Sequence, residues 1–109
     1  MHQIEYSPMA LEDLREISNY LISNWGESLA KKALGKITSD IRRLGKYPAL
    51  GVDLGKTIDV PTKYRYIFSE KNYVFYYVET NKIRIVRVLS ERQDYMEQLF
   101  GVSSESDEL

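Results

Sequence analysis

Three segments in the C-terminal half constrain the fold more than any other feature of the sequence. They are KYRYIFS at 63–69, YVFYYVE at 73–79 and KIRIVRVLS at 82–90. Each is rich in β-branched or aromatic residues, which favour β-strands. The connections EKN and TNK are so short that successive strands must turn back on each other as hairpins. The sequence therefore predicts a meander of three antiparallel strands.

A helical hairpin is predicted before the meander. Ser7 is placed to act as an N-cap and Pro8 to occupy the first helical position, where its missing N–H costs nothing. Apolar residues then recur at helical spacing over 8–23: Ala10, Leu14, Ile17 and Leu21. A second apolar stripe follows the break at Gly26 and ends near 45–48: Leu34, Ile37, Ile41 and Leu44. Two helices joined by so few residues are expected to lie antiparallel.

The order of elements indicates the fold class. A short strand candidate (IEY at 4–6) precedes the helices, and ERQDYMEQLF at 91–100 predicts a last short helix. The predicted order is β-α-α-β-β-β-α, an α+β fold in which an N-terminal strand and an antiparallel two-helix hairpin pack on a twisted antiparallel sheet. Residues 47–62, with two glycines and two prolines, are predicted to form a loop. We expect a single domain at 1–101 and a mobile acidic tail at 102–109.

Composition excludes several chemistries. The 109 residues contain no cysteine, and the single histidine, His2, lies at the N-terminus. The sequence therefore provides no thiolate or histidine-based triad, and it carries no metal-ligand spacing and no glycine-rich phosphate loop. We predict neither a metal nor a cofactor. No apolar run reaches the roughly 18 residues of a membrane span, and the N-terminus lacks a secretory pattern, so we expect a cytoplasmic protein without membrane contact.

The candidate functional residues are basic. Lys56 lies in the predicted loop, Arg65 in the first meander strand, Arg87 in the last strand, and Arg92 just beyond it. Clustered guanidinium groups hold phosphate or carboxylate by paired hydrogen bonds, and they can stabilise a phosphorane in RNA cleavage. The alternative is structural: Arg87 and Arg92 pair with nearby acids, for which the candidates are Glu70, Glu91 and Asp94. Strict alternation would place Arg87 on the same side of its strand as Ile83, Ile85 and Leu89.

Two further sets of residues have alternative interpretations. Tyrosines crowd the adjacent strands, where they suit a half-buried sheet, a partner surface or stacking on RNA bases: Tyr64, Tyr66, Tyr73, Tyr76 and Tyr77. The back of the second helix is basic: Lys31, Lys32, Lys36, Arg42, Arg43 and Lys46. That back is either a solvated face or a surface for an acidic partner or nucleic acid.

Four pieces in order resemble one known family. They are YSPMALEDLREISNYL, LGKYPALG, VPTKYRYIF with its hairpin, and IRIVRVLSERQDY. At these separations the chain resembles the RelE/ParE superfamily of toxins from bacterial type II toxin–antitoxin systems, over residues 4–100. The resemblance implies the RelE/ParE-like fold and a role in growth arrest and plasmid stabilisation.

The superfamily divides by target, which leaves alternatives for function. RelE-like members cleave mRNA in the ribosome, and ParE-like members inhibit DNA gyrase. By resemblance to the RelE-like ribonucleases, Lys56, Arg65 and Arg92 are candidate catalytic residues, with Tyr95 assisting. However, Gln98 stands where those enzymes carry a tyrosine, and the histidine base of a related branch is missing.

The resemblance favours the ParE-like branch, a gyrase-binding toxin without catalysis. The alternatives are a ribosome-dependent mRNA endoribonuclease and an inert member that only binds an antitoxin. In either toxin the resemblance implies a small antitoxin, encoded beside the toxin, that wraps the sheet and the helical hairpin in a hetero-oligomer. The residues expected to contact target or antitoxin are Arg65, Arg87, Arg92, Tyr64 and Tyr66.

Overall fold

A computed structural model describes residues 1–102 and contains nine elements. The strands are β1 (Gln3–Tyr6), β2 (Val52–Asp53), β3 (Arg65–Ser69), β4 (Asn72–Val78) and β5 (Lys82–Ser90). The helices are α1 (Pro8–Trp25), α2 (Glu27–Arg43), α3 (Leu54–Ile58) and α4 (Tyr95–Phe100). The predicted α+β class and the helical hairpin are confirmed. The tail predicted at 102–109 lies outside the described residues except for Val102. No helix within residues 1–102 combines the length and apolar character that a bilayer-crossing segment needs.

The sheet has five strands in the order β1-β5-β4-β3-β2. The meander of β3, β4 and β5 is antiparallel, as predicted, whereas β1 pairs with β5 in parallel. The sheet is therefore mixed and not wholly antiparallel. Alternation of side chains has a period of two in either orientation, so the sequence pattern did not encode the direction of β1.

The start of α1 follows the capping rules that predicted it. The Ser7 hydroxyl accepts a hydrogen bond from the Ala10 N–H at 3.0 Å, and Pro8 occupies the first turn. The same hydroxyl donates to the Val86 carbonyl at 2.8 Å, which fixes the helix start against β5. The cap therefore sets both where α1 begins and where it crosses the sheet.

The segment predicted as a loop at 47–62 contains two short elements. β2 pairs with β3 through Val52 and Asp53, and the Asp53 side chain caps α3 by accepting a hydrogen bond from the Gly55 N–H at 2.9 Å. The prediction of an unstructured loop was wrong here, because elements of two and five residues are too short to show a periodic pattern.

The two faces of the sheet carry separate cores. The hairpin side is covered by α1 and α2, and its buried residues include Ala10, Ile37, Ile41, Leu44, Val74, Tyr76, Ile83, Ile85 and Val88. The opposite side is covered by α3 and α4, and it is formed by Leu54, Phe75 and Leu89 with partly buried aromatic neighbours. We refer to these faces as the hairpin side and the α4 side.

A bulge in β5 changes which side each residue faces. Tyr76 is opposite Ile85, but Phe75 is opposite Arg87, so Val86 is an extra residue in the ladder. Ile83 and Ile85 therefore face the hairpin side, while Arg87 shares the α4 side with Phe75. The prediction that Arg87 would lie on the same side as Ile83 and Ile85 was wrong, because strict alternation ends at the bulge.

Tyr76 organises the exit from the helical hairpin. It is fully buried, and its hydroxyl donates to the Pro48 carbonyl at 2.8 Å and accepts from the Gly51 N–H at 2.9 Å. A Cβ on Gly51 would lie 2.6 Å from that hydroxyl oxygen, so the site excludes any larger residue. The resemblance in YPALG thus has a structural basis: the segment is shaped to cap one tyrosine.

We predict that Tyr76→Phe lowers the free energy of unfolding by about 1–3 kcal/mol, because a buried N–H and a carbonyl lose their partner. Urea denaturation of the purified protein measures the change. Tyr77→Phe is the matched control, and it should cost under about 0.5 kcal/mol because its hydroxyl makes no hydrogen bond within residues 1–102. Equal losses in the two variants would contradict this role of the Tyr76 hydroxyl.

Candidate functional site

The predicted basic residues do not gather on one surface. Arg65 is opposite Tyr76 on β4, so it faces the hairpin side, where it donates to the Gly51 carbonyl at 3.2 Å. Arg87 is opposite Phe75 and faces the α4 side. The two arginines that the meander was expected to bring together therefore lie on opposite faces of the sheet.

Arg87 is held in a buried ion pair with Asp13 of α1. Its Nε donates to Asp13 Oδ2 at 2.7 Å and its Nη2 donates to Oδ1 at 2.9 Å. The side chains are 11% and 9% exposed, respectively. Hydrogen bonding to Asp13 raises the pKa of the Arg87 guanidinium above its usual value, against the effect of burial. None of the acids proposed from the sequence is this partner, because Asp13 approaches from a helix 74 residues earlier in the chain.

Asp13 has a third contact that explains its position. Its Oδ2 accepts a hydrogen bond from the Val88 N–H at 2.9 Å. β1 pairs with β5 only as far as Ile85, so the edge of β5 beyond that point is open. The Asp13 carboxylate closes this edge, and Arg87 reaches it from the α4 side while also donating to Gln98 Oε1 of α4 at 3.3 Å. Gln98, where the resemblance to RelE-like enzymes would require a tyrosine, is thus part of this network.

Arg92 and Lys56 remain exposed cations. Arg92 lies in the turn between β5 and α4, and Lys56 lies on α3. Neither side chain forms an ion pair with any residue in the described range 1–102. The alternative prediction that Arg92 pairs with a nearby acid is therefore not seen, and both residues are free to contact another molecule.

The tyrosines form a continuous aromatic layer on the α4 side. Tyr95 packs against Tyr73 and Phe75 with ring centroids 5.5 and 5.2 Å apart. Tyr66 stacks edge-on to Tyr73 at 5.5 Å, and Tyr64 contacts Phe100 at 6.0 Å. Burial, with a smaller contribution from its neighbours, raises the pKa of the Tyr95 phenol. A phenol in this setting keeps its proton at neutral pH and is poorly suited to act as a base.

A concave surface lies on the hairpin side of the sheet. It lies between α1 and α2, the turn from β3 to β4, and the end of β5, and it has a volume of about 930 Å³. Its floor is apolar and consists of Ile17, Tyr20, Leu21, Trp25, Leu29 and Ala33. Charged residues also line the groove: the cations Lys32, Lys36, Lys71 and Arg92 and the acids Glu16, Glu70 and Glu91. We call this surface the hairpin groove.

The hairpin groove exposes large apolar side chains at the end of the helical hairpin. Trp25 is 64% exposed, Tyr20 is 52% exposed and Leu29 is 47% exposed. Contiguous exposed apolar surface beside charged residues is typical of a binding site for another protein. Sequence analysis missed this site, although the signal was present: Tyr20, Trp25 and Leu29 lie off the apolar stripes that were assigned to the core.

The described residues contain no group of three or more His, Asp or Glu side chains placed to hold a metal ion. The described surfaces are an apolar groove flanked by charged residues on one side of the sheet and an aromatic layer on the other.

Comparison with known proteins gives consistent results. The model of the family described as the ParE toxin of type II toxin-antitoxin system, parDE, matches residues 4–95. A search of curated proteins finds no significant match. A solved chain from the chromosomal ParDE TA system from P. aeruginosa is 22% identical, and the match covers 83% of this chain and 96% of that one with a TM-score of 0.70. A chain from the YoeB-YefM complex from Staphylococcus aureus is 24% identical, with 82% and 95% coverage and a TM-score of 0.53. At these identities the two structures establish the fold.

We predict that Asp13→Asn lowers the free energy of unfolding by about 3–5 kcal/mol, because it leaves the Arg87 charge buried without its counter-ion. The double variant Asp13→Asn/Arg87→Met should recover much of this loss, since it removes the unpaired charge. Glu12→Gln is the matched control: its partner is the exposed Arg15, and the expected cost is under about 1 kcal/mol. Urea denaturation that gave Asp13→Asn and Glu12→Gln the same cost would refute the structural role of the buried pair.

Proposed function

This chain belongs to the ParE toxin family of type II toxin–antitoxin systems, and from that membership we propose that it arrests growth by binding DNA gyrase without catalysing a reaction. The proposal places the protein in the cytoplasm with its target. The observation that carries it is that Arg65 and Tyr95, two of the residues a ribonuclease would need together, lie on opposite faces of the sheet.

The remaining candidates for catalysis are also separated. Arg65 is opposite Tyr76, whereas Arg92 lies two residues beyond Ser90, which is opposite Asn72. Tyr76 and Asn72 are separated by about 13 Å along β4 at ~3.3 Å per residue, and Arg92 lies further along. Arg65 is also held by the Gly51 carbonyl, to which it donates at 3.2 Å, so it would have to leave this contact to reach a phosphate beside Arg92. The alternative function, ribosome-dependent cleavage of mRNA, needs Lys56, Arg65 and Arg92 around one phosphate, so the geometry favours a binding protein.

The second proposed partner is the cognate antitoxin, which we place in the hairpin groove. The groove offers exposed Trp25, Tyr20 and Leu29 beside Lys32 and Arg92, a combination that suits an amphipathic segment with acidic residues. Such a segment would bury the apolar floor and cover Arg92 at once. The antitoxin would then neutralise the toxin by covering Arg92, the side chain that we assign to target binding.

We predict that the purified protein inhibits supercoiling by DNA gyrase and leaves cleaved DNA on the enzyme. Arg92→Ala should raise the concentration for half inhibition by about fivefold or more, because truncation of an interface arginine that acts as a hot spot costs over about 1 kcal/mol. Arg15→Ala, an exposed arginine already paired with Glu12 on α1, is the control and should leave inhibition unchanged.

Two outcomes decide between the candidate functions. Normal supercoiling in the presence of excess protein would refute gyrase binding. Primer extension on mRNA after induction would show cuts at A-site codons if the protein were a ribonuclease, and loss of those cuts in Arg92→Ala would support that alternative.

We predict that antitoxin binding changes the fluorescence of Trp25, the only tryptophan in the chain. Trp25 is 64% exposed, so burial of its indole under an antitoxin segment should shift the emission to shorter wavelength. Leu29→Asp should weaken antitoxin binding by at least about tenfold, because a charge on the groove floor must be desolvated. Leu50→Asp, a similarly exposed leucine outside the groove, is the control. An unchanged emission spectrum in the assembled complex would rule the groove out as the antitoxin site.

A further inference from the structure

The outward face of α2 has an unusual composition. Helical geometry places eight positions of α2 on the side opposite the buried Ala30, Ile37 and Ile41. Five are basic and three are small, and a sixth basic residue follows the helix: Lys31, Lys32, Lys36, Arg42, Arg43 and Lys46, with Ser28, Gly35 and Ser39 between them. The two acids of this segment, Glu27 and Asp40, lie at the margins of the stripe. We call this surface the α2 basic face.

The charges on the α2 basic face are largely free. All six basic residues are exposed, and among residues 1–102 only Lys36 has an ion-pair partner, which is Asp40. Asp40 also accepts a hydrogen bond from the Ser69 hydroxyl at 2.6 Å. These contacts, against the effect of burial, lower the pKa of the Asp40 carboxyl, so it stays ionised and belongs to the strand contact of the helix. The other five cations form no ion pair within residues 1–102, although Lys46 lies 5.7 Å from the ring centroid of Tyr47.

The helix dipole explains only part of this pattern. Arg42 and Arg43 lie in the last turn, where the negative end of the dipole favours cations. Lys31 and Lys32 lie in the N-terminal third of the same helix, where the dipole does not stabilise positive charge. A requirement of helix stability therefore does not account for a basic stripe along the whole length.

The charge of the protein is concentrated at this helix. Residues 27–46 contain six Lys or Arg and two acids, whereas the rest of the described range 1–102 contains nine Lys or Arg and eleven acids. A chain with a net charge of -1 thus has one strongly positive surface. A linear stripe of positive charge is complementary to an extended polyanion.

We propose that the α2 basic face binds the phosphate backbone of double-stranded DNA. The stripe from Ser28 to Arg43 is about 22 Å long at 1.5 Å per residue, comparable to two-thirds of a turn of duplex. The positions of Gly35 and Ser39 let a backbone approach the helix closely, and no atom within 4 Å occupies the space where a Cβ of Gly35 would lie. This inference rests on the proposed function: gyrase holds duplex DNA, so a toxin bound to gyrase through Arg92 would also contact that DNA through α2.

The test is direct binding of the full chain to a fluorescein-labelled 24-bp duplex, measured by fluorescence anisotropy without gyrase. Four phosphate contacts predict a slope of about -3.6 in log affinity against log salt, or about 150-fold weaker binding at 200 mM than at 50 mM. Arg42→Gln/Arg43→Gln should remove two contacts and reduce the slope to about -1.8. Lys63→Gln/Lys82→Gln, which removes the same charge outside α2, should leave the slope unchanged. Circular dichroism confirms that each variant is folded.

Several outcomes would overturn the inference. They are an absence of duplex binding at 50 mM salt, an equal loss in the two double variants, and tighter binding to single-stranded RNA of the same length. Displacement of the duplex by polyglutamate of equal charge would assign the face to an acidic protein instead. Because gyrase is absent from this assay, these failures leave gyrase inhibition untouched, and failed inhibition of supercoiling leaves the duplex measurement standing.

Discussion

The structure depends on one carboxylate at the edge of the sheet. Asp13 of α1 accepts a hydrogen bond from the Val88 N–H, which β1 is too short to pair, and it binds Arg87, which arrives from the other face of the sheet. Arg87 in turn holds Gln98 of α4. One side chain therefore links the helical hairpin, the last strand and the last helix, and it does so where an open strand edge would otherwise invite association.

This linkage gives Arg87 and Arg92 different roles. A guanidinium at a strand-to-helix junction has the right chemistry for a phosphate ligand, but Arg87 has its hydrogen bonds satisfied inside the protein. Arg92, five residues later, is exposed and lies at the rim of the hairpin groove. Arg87 is buried and supports the structure, whereas Arg92 is exposed and can contact another molecule. The difference between them is one of burial and not of position in the sequence.

The parts of the fold that sequence analysis predicted are those with a local physical signal. The Ser7 cap, the apolar stripes of α1 and α2 and the three meander strands all follow from spacing and residue type. The parts that it missed depend on contacts far apart in the chain. Asp13 and Arg87 are 74 residues apart, and the hydroxyl of Tyr76 selects Gly51 from 25 residues away. The hairpin groove was missed for a similar reason, since its floor combines residues of α1 and α2 that no single helical stripe contains.

The extra residue at Val86 has a consequence for how β5 can vary. The extra residue shifts the alternation of side chains by one position. Before it, Ile83 and Ile85 face the hairpin side; after it, Val88 faces that side and Leu89 faces the α4 side. A substitution that is tolerated at 84 therefore says nothing about 88, although both are even. Any redesign of this strand therefore has to place apolar residues for the hairpin side at odd-numbered positions before the bulge and at even-numbered positions after it.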